Sequence, residues 1–237
     1  MTPNMERGAR IIIHEWVKVR AWDKVLIVTS KEYLAEAKAM EKEASGKARS
    51  VNTLLVENKG RHVGIFFDDN EAVFDPYTAI IAATEYSLVT TKAAKRAIQR
   101  HKKFLSLPLA TNDGRSFLEY DFLTMDTKKS RLMAKAFIKY LKYSEKVRVT
   151  TPAGTDLECD NEPGRDYVTA DGFVRKNDIK MFPGQISWSP NFESVNGVLV
   201  VDGTLSPPIG ALQGPVKFYI EKGYIKKIEG GRDAENF

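Results

Sequence analysis

The sequence has few of the residues from which disulfides, metal clusters and nucleophilic sites are usually built. Cys159 is the single cysteine in 237 residues, so the chain can form no internal disulfide and no cysteine metal cluster. The three histidines, His14, His62 and His101, lie far apart and form no HxH or HExxH pair. A G-x-S-x-G elbow is also absent. Cys159 stands between Glu158 and Asp160, whose negative charge disfavours a reactive thiolate.

Long apolar runs and phosphate-binding loops are missing as well. The apolar run Ile11–Ile13 is ended by His14 and Glu15, which predicts neither a signal peptide nor a membrane span. No P-loop is present, and no GxGxxG follows the first predicted strand, Lys24–Ser30. Together with the single cysteine, these features predict a cytoplasmic protein that has no membrane partner and is not a standard nucleotide binder.

The charge of the chain does not point to a particular partner. The net charge is +5, but lysine and arginine alternate with aspartate and glutamate through most of the sequence. The densest basic run, Lys92–Lys103, falls on a predicted helix and is typical of a solvated helix face. We therefore expect no nucleic-acid partner.

The first part of the chain alternates apolar runs with amphipathic or alanine-rich segments, the pattern of an α/β layered domain with a mostly parallel sheet. The predicted helices are 3–20, 31–47, 75–84, 91–102 and 127–143. The predicted strands are 24–30, 50–56, 62–67, 86–89 and 104–107.

The second part has short runs of Val, Ile, Phe, Tyr and Trp between turn residues such as Asn196–Gly197 and Lys222–Gly223. This pattern predicts a mainly β domain built from hairpins. The predicted domains are 1–143, which is α/β, and 144–237, which is rich in β-strands.

Carboxylates are the remaining candidates for chemistry. Asp68–Asp69 fits either a ligand-facing loop or a hydrophilic turn. Alternation along a strand would send many of the acidic residues between positions 156 and 171 to solvent, among them Asp156, Glu158, Asp160, Glu162, Asp166 and Asp171. Glu193 and Asp202 lie in a more constrained stretch, where a carboxylate could bind a cation. For Asp202, a tight turn with Gly203 is favoured.

Several of these segments carry a resemblance to a known family. GTDL (Gly154–Leu157), Gly164–Arg165, the run from Pro183 to Pro190, and NGVLVVDG (Asn196–Gly203) resemble the aminopeptidase T family of metallopeptidases. The earlier KVLIVTS and SLVTTKAAKRA fit the same pattern. The superfamily includes iron-dependent 2,5-dihydroxypyridine dioxygenases.

The chain departs from that family in two ways. Gln185 stands where relatives carry a glutamate that helps to bind a pair of divalent metals, and an amide cannot bridge two metals as a carboxylate does. The relatives' other metal ligands follow the segment that matches Ile228–Gly231, so we expect this chain to lack most of the metal site. Two explanations stay open: a fragment of a longer enzyme, or a natural protein that has lost catalysis. Either way an uncovered strand edge would favour a homo-oligomer.

The resemblance implies a metal-dependent aminopeptidase that releases N-terminal residues from peptides, using zinc, cobalt or manganese. Gln185 and Glu193 are the residues that we place nearest the metal. The first alternative is a mononuclear iron dioxygenase that opens the ring of a small aromatic substrate of the dihydroxypyridine type. The second alternative is a metal-free interaction scaffold. Whether the chain is an enzyme stays open at this stage.

Overall fold

A computed structural model describes residues 2–57, 60–111, 113–162, 164, 167–170, 172–205 and 209–236. The chain forms two compact units: Met1–Arg131 with Ala170–Gln185, and Leu132–Thr169 with Ile186–Phe237. The sequence placed one boundary after residue 143. In the structure the chain leaves the first unit at Arg131, inside a helix, and returns to it between Ala170 and Gln185.

The helices of the described residues are α1 (Pro3–Ile11), α2 (Leu34–Ser45), α3 (Gly64–Asp69), α4 (Lys92–Gln99) and α5 (Thr127–Tyr143). A π-helical turn, Ile12–Trp16, continues α1. The strands are β1 (Lys24–Thr29), β2 (Ser50–Leu55), β3 (Ala79–Ala82), β4 (Lys103–Ser106), β5 (Lys146–Thr150), β6 (Asp156–Asp160), β7 (Val168–Ala170), β8 (Asp178–Lys180), β9 (Gln185–Ser187), β10 (Asn196–Val201), β11 (Thr204–Leu205), β12 (Gly210–Ala211), β13 (Val216–Glu221) and β14 (Tyr224–Glu229). None of the helices formed by these residues is long and apolar enough to cross a membrane.

The first unit is built on a five-stranded parallel sheet in the order β2-β1-β3-β4-β8. Every residue of β3 is buried, and in β1 all but Lys24 are buried. Strands covered on both faces read as continuous apolar runs, which is why the sequence predicted β1. One face packs on Ile12, Trp16 and Met40, and the other on Phe67 and Phe74. The predicted α/β layered architecture is confirmed.

Three predicted elements of this unit are wrong. Residues 62–67 form the end of a 3₁₀ turn and most of α3, where Phe67 is buried but Ile65 and Phe66 are exposed. A six-residue apolar run fits either a helix or a strand, and here the helix forms. Residues 75–84, predicted as a helix, contain β3, and the predicted strand 86–89 is a bend and turn.

The second unit contains an antiparallel sheet in the order β14-β13-β10-β6-β5. Its buried side chains include Val200, Val216 and Phe218. The predicted turn Lys222–Gly223 joins β13 to β14 with both residues at positive φ, as a two-residue hairpin turn requires. The mainly β character predicted for this part of the chain is confirmed. The chain passes between the two units within β7 and β9, which pair with each other.

Candidate functional site

Two segments that carry the family resemblance lie side by side in the second unit. Strand β6 pairs with β10, so that Glu158 faces Asn196 and Asp156 faces Val198. Between them, Gly197 has φ +123°, and a Cβ atom there would lie 2.1 Å from the carbonyl oxygen of Asp156. Because no side chain fits in that space, the close approach of the two segments depends on a glycine at position 197.

The side chain of Thr155 adds hydrogen bonds to β10 beyond the end of this strand pairing. Its buried hydroxyl donates to the carbonyl of Val200 at 3.1 Å and accepts from the amide of the same residue at 3.0 Å. The side chain thus completes the hydrogen bonding of β10 where backbone pairing with β6 has ended.

The carboxylates of β6 alternate as the sequence predicted. Asp156, Glu158 and Asp160 are exposed, while Leu157 and Cys159 are half-buried. Arg148 on β5 donates two hydrogen bonds to Asp156, of 2.8 and 2.7 Å. These bonds lower the pKa of Asp156, so this carboxylate is held in an ion pair.

Cys159 is not suited to nucleophilic chemistry. Burial, and then the charge of Asp160, raise the pKa of its thiol above the ordinary value. The Sγ atom lies 3.7 Å from the carbonyl oxygen of Val147. The neutral thiol therefore acts as a packing residue, as its acidic neighbours in the sequence indicated.

Glu193 has a fixed backbone and an exposed side chain. It lies in the 3₁₀ turn Phe192–Ser194, where its amide donates to the side-chain oxygen of Asn191 at 3.3 Å. The turn is joined to the end of β6, because the amide of Asp160 donates to the Ser194 hydroxyl at 2.7 Å and its carbonyl accepts from the Asn191 amide at 3.0 Å.

Gln185 is the last residue of the first unit and the first of β9, and it is exposed. The preceding Gly184 donates from its amide to the carbonyl of Ala170 at 2.9 Å, which fixes the backbone there. Glu193 belongs to the second unit. The metal-binding role that the resemblance implies for these two residues stays a prediction.

The donor set of a metal centre is not assembled within the described part of the chain. Among those residues, no group of three or more His, Cys, Asp and Glu side chains could hold a metal ion. Asp166 and Asp171 lie outside the described residues.

Two of the three histidines have structural partners. The Nε2 atom of His14 lies 3.2 Å from Glu43, and His101 pairs with Asn177. His62 instead lines a cavity of the first unit.

That cavity has a volume of about 540 Å³ and lies at the carboxyl end of the edge strand β2. Apolar side chains in and next to β2 and α3 form most of its wall, with Glu57, His62, Asp69 and Asn70 as polar members. Sequence reasoning missed this cavity because it placed residues 62–67 in a strand. The signal that could have found it is the helical spacing of Val63, Phe66 and Phe67.

The model of the family NicX, 2,5-dihydroxypyridine 5,6-dioxygenase, matches residues 116–237, which include both paired segments, Gln185 and Glu193. No curated protein matches the chain by sequence.

Two solved structures share the fold. The 2,5-dihydroxypyridine dioxygenase from Pseudomonas putida KT2440 is 20% identical, with a TM-score of 0.74 over 100% of this chain and 71% of that one. Wild-type AmpT from Thermus thermophilus is 13% identical, with a TM-score of 0.65 over 98% of this chain and 72% of that one. At these identities the structures show a shared fold, and together with the family match they confirm the superfamily predicted from the sequence. The chain belongs to the NicX family, whose description is 2,5-dihydroxypyridine 5,6-dioxygenase.

Proposed function

We propose that this protein takes part in the oxygenative ring opening of a small dihydroxylated nitrogen heterocycle, acting in the cytoplasm. The observation that carries the proposal is the family match over residues 116–237. That range contains the β6–β10 pairing and the turn that holds Glu193.

Gln185 supports a site for one metal over a site for two. Bridging two cations requires carboxylates, whereas a single ferrous ion typically takes two histidines and one carboxylate. Within this proposal, Glu193 would supply a carboxylate ligand to the iron, and Gln185 would supply an amide oxygen. Glutamine in place of glutamate at position 185 should therefore reduce the activity of a two-metal peptidase more than the activity of a one-iron dioxygenase.

The test is an oxygen-uptake assay on the purified chain. Protein is loaded anaerobically with ferrous iron, freed of unbound metal, and mixed with 2,5-dihydroxypyridine and oxygen. We expect one O₂ to be consumed for each substrate lost, and labelled O₂ to place both its atoms in the product. A protein that retains iron but shows no substrate-dependent uptake contradicts the proposal. Glu193→Gln should bind iron more weakly, while its circular dichroism spectrum stays unchanged.

A metal-dependent aminopeptidase is the second candidate, supported by the fold shared with AmpT. This candidate requires zinc, cobalt or manganese and a peptide substrate. Release of 4-nitroaniline from aminoacyl nitroanilides by the protein loaded with one of these metals would favour it over the dioxygenase.

The remaining hypothesis is a metal-free scaffold. It predicts that gel filtration removes iron, zinc, cobalt and manganese from the protein. It also predicts no turnover in the oxygen-uptake assay or in the nitroanilide assay. Elemental analysis after gel filtration therefore separates the scaffold from both enzymes.

A further inference from the structure

Three positively charged side chains surround the ring of Phe173 in the first unit. The Lys18 ammonium lies 4.3 Å from the ring centroid, the Arg131 guanidinium 5.7 Å and the Arg175 guanidinium 6.0 Å. We call these four residues the cationic cluster. Its charges lie within about 12 Å of one another, where like charges repel. The ring attracts each cation weakly and does not neutralise it.

Carboxylates close in the sequence do not neutralise the cluster either. Among the described residues, no carboxylate forms a salt bridge with Lys18 or Arg131. Asp126, the acidic residue nearest to Arg131 in the sequence, instead accepts hydrogen bonds from two backbone amides in the first turn of α5. Arg20 and Lys176 add positive charge in the adjoining sequence. The described part of this region therefore carries an excess of positive charge.

The backbone fixes the position of Lys18 relative to Phe173. The amide of Val174 donates to the carbonyl of Trp16 at 2.9 Å, which sets Phe173 beside the segment that carries Lys18. Lys18 has a φ of +50°, and its carbonyl accepts from the ammonium of Lys103 at 3.0 Å. A left-handed backbone costs energy in a residue other than glycine, and such strain is concentrated at ligand-binding sites.

A close packing contact brings Arg131 to the cluster. Gly172 has φ +76°, and a Cβ atom there would lie 2.7 Å from the Cγ2 atom of Thr127. Thr127 is buried at the start of α5. Arg131 follows it by four residues, so the two side chains lie on the same face of the helix. The first turn of α5 thus packs on Gly172, which places Arg131 next to Phe173. Three separate segments of the chain are packed together to form the cluster.

We propose that the cationic cluster binds the phosphate group of a small soluble molecule, either inorganic phosphate or a phosphate monoester. A phosphate monoester carries a charge of about −1.5 to −2 at neutral pH, which matches several cations better than one carboxylate does. Guanidinium groups pair with phosphate oxygens in a bidentate manner, and a lysine supplies a compact charge. Neither Gln185 nor Glu193 belongs to the cluster, so this site is independent of the proposed enzyme activity.

The compact arrangement favours a small phosphate over a nucleic acid or a membrane. Proteins that bind single strands place their basic residues along a groove that follows the backbone. Here three cations lie within 6.0 Å of one ring centroid and converge on a single anion. Amphipathic membrane-binding surfaces combine basic residues with exposed apolar side chains. Phe173, the apolar member of the cluster, is half-buried.

Titration calorimetry of the full chain with inorganic phosphate and with glycerol 3-phosphate tests the site, at low ionic strength and without added metal. We expect saturable binding of one phosphate. Lys18→Gln and Arg131→Gln should each raise the Kd about tenfold, because each removes a charged hydrogen-bond donor. Lys95→Gln is the matched control: it removes the same charge from an exposed position of α4, which packs on the other face of the sheet. Its Kd should equal that of wild type.

Circular dichroism should show that the three variants fold as wild type does. A wild type that binds neither phosphate compound overturns the proposal. So does an equal loss of affinity in Lys95→Gln and Arg131→Gln, since binding would then follow net charge. Binding to vesicles that contain phosphatidic acid, or to a single-stranded oligonucleotide, without binding of glycerol 3-phosphate would assign the cluster to a macromolecule instead. All of these measurements report binding, so a failure of the proposed dioxygenase activity leaves their interpretation unchanged.

Discussion

Single residues set the closest approaches in this fold, and Gly197 is the clearest case. It combines a φ of +123° with a space in which a Cβ atom would meet a backbone oxygen at 2.1 Å. The sequence marked Asn196–Gly197 as a turn, yet both residues lie inside β10. Because a left-handed glycine is read from sequence as a turn, its role in bringing two strands together was visible only in the structure.

Gly197→Ala should lower the free energy of unfolding by about 3 kcal/mol or more, because it adds a backbone clash to an unfavourable φ. Urea denaturation measures the loss. Gly203→Ala is the matched control, since nothing lies within 4 Å of a Cβ atom there. Equal stability of the two variants would contradict the argument.

Asp23 is the residue for which a pH effect is expected. Burial alone would raise the pKa of its carboxyl group, but hydrogen bonds from Lys103, the backbone of Arg20 and Thr78 outweigh burial and hold the pKa below its ordinary value. The Lys103 ammonium lies 2.9 Å from the carboxylate, and both side chains are largely buried. The ion pair therefore contributes to stability only while Asp23 is ionised.

Asp23→Asn should cost about 3 kcal/mol at neutral pH, because Lys103 is left without its counter-charge. The stability that comes from a lowered pKa is present above about pH 4, where the unfolded carboxyl is ionised, and is lost as pH falls through the folded value. Denaturation curves across this range should show the two proteins converge at acid pH. Asp121→Asn, whose side chain is 98% exposed beside Arg7, should change little at any pH. A difference between wild type and Asp23→Asn that is constant with pH argues against this reading.

At the scale of elements, the predictions were correct for segments whose length and hydrophobic periodicity indicated the same type of element. Helix α5 has the predicted bounds, and β1, β2, β4 and α4 begin within two residues of their predicted starts. The failures fell on short apolar runs. Residues 75–84 contain Pro76 at a favoured helix start, but the all-apolar Ala79–Ala82 pairs with strands on either side, and that pairing decides its structure.

The end of α5 depends on Asn161, a residue that sequence analysis did not single out. Its buried side-chain amide donates to the carbonyls of Leu141 and Ser144, the second at 3.1 Å. The Leu141 carbonyl also accepts from the backbone amide of Ser144 at 3.2 Å, so Asn161 adds a second bond there.

Asn161→Ala should therefore destabilise the second unit by about 1–3 kcal/mol, because the carbonyls of Leu141 and Ser144 lose the hydrogen bonds from a buried amide. Hydrogen exchange should show faster exchange in the last turn of α5. Asn70→Ala removes a similar bond, to the carbonyl of Phe66 at the end of α3, but at an exposed site. Water can replace that bond, so the effect should be smaller. If Asn70→Ala lowers stability more than Asn161→Ala does, the hydrogen bonds of Asn161 do not stabilise the end of α5 as proposed.

At the scale of the whole molecule, the fold class could be predicted from the sequence. The return of Ala170–Gln185 to the first unit could not. The alternation of strand and helix patterns indicated the parallel sheet, and the turn-rich second half indicated the antiparallel one. Strand β8 is only three residues long, and it pairs with β4 although more than seventy residues separate them. No local pattern encodes such a pairing. The candidate site is limited in the same way, because the metal-binding role of Gln185 and Glu193 stays a prediction that no residue pattern tests.

A substitution at Val174 tests whether the segment Ala170–Gln185 stabilises the first unit. It is 7% exposed, packs in the apolar core of that unit, and donates from its amide to the carbonyl of Trp16 at 2.9 Å. Val174→Ala should reduce stability by about 1–3 kcal/mol through the lost contacts and the cavity left behind. The loss should appear as faster hydrogen exchange in β1, although β1 lies about 150 residues earlier in the chain. Val149→Ala, at a position 40% exposed in the second unit, should leave exchange in β1 unchanged. Faster exchange in β10, with β1 unaffected by Val174→Ala, would instead assign the segment to the second unit.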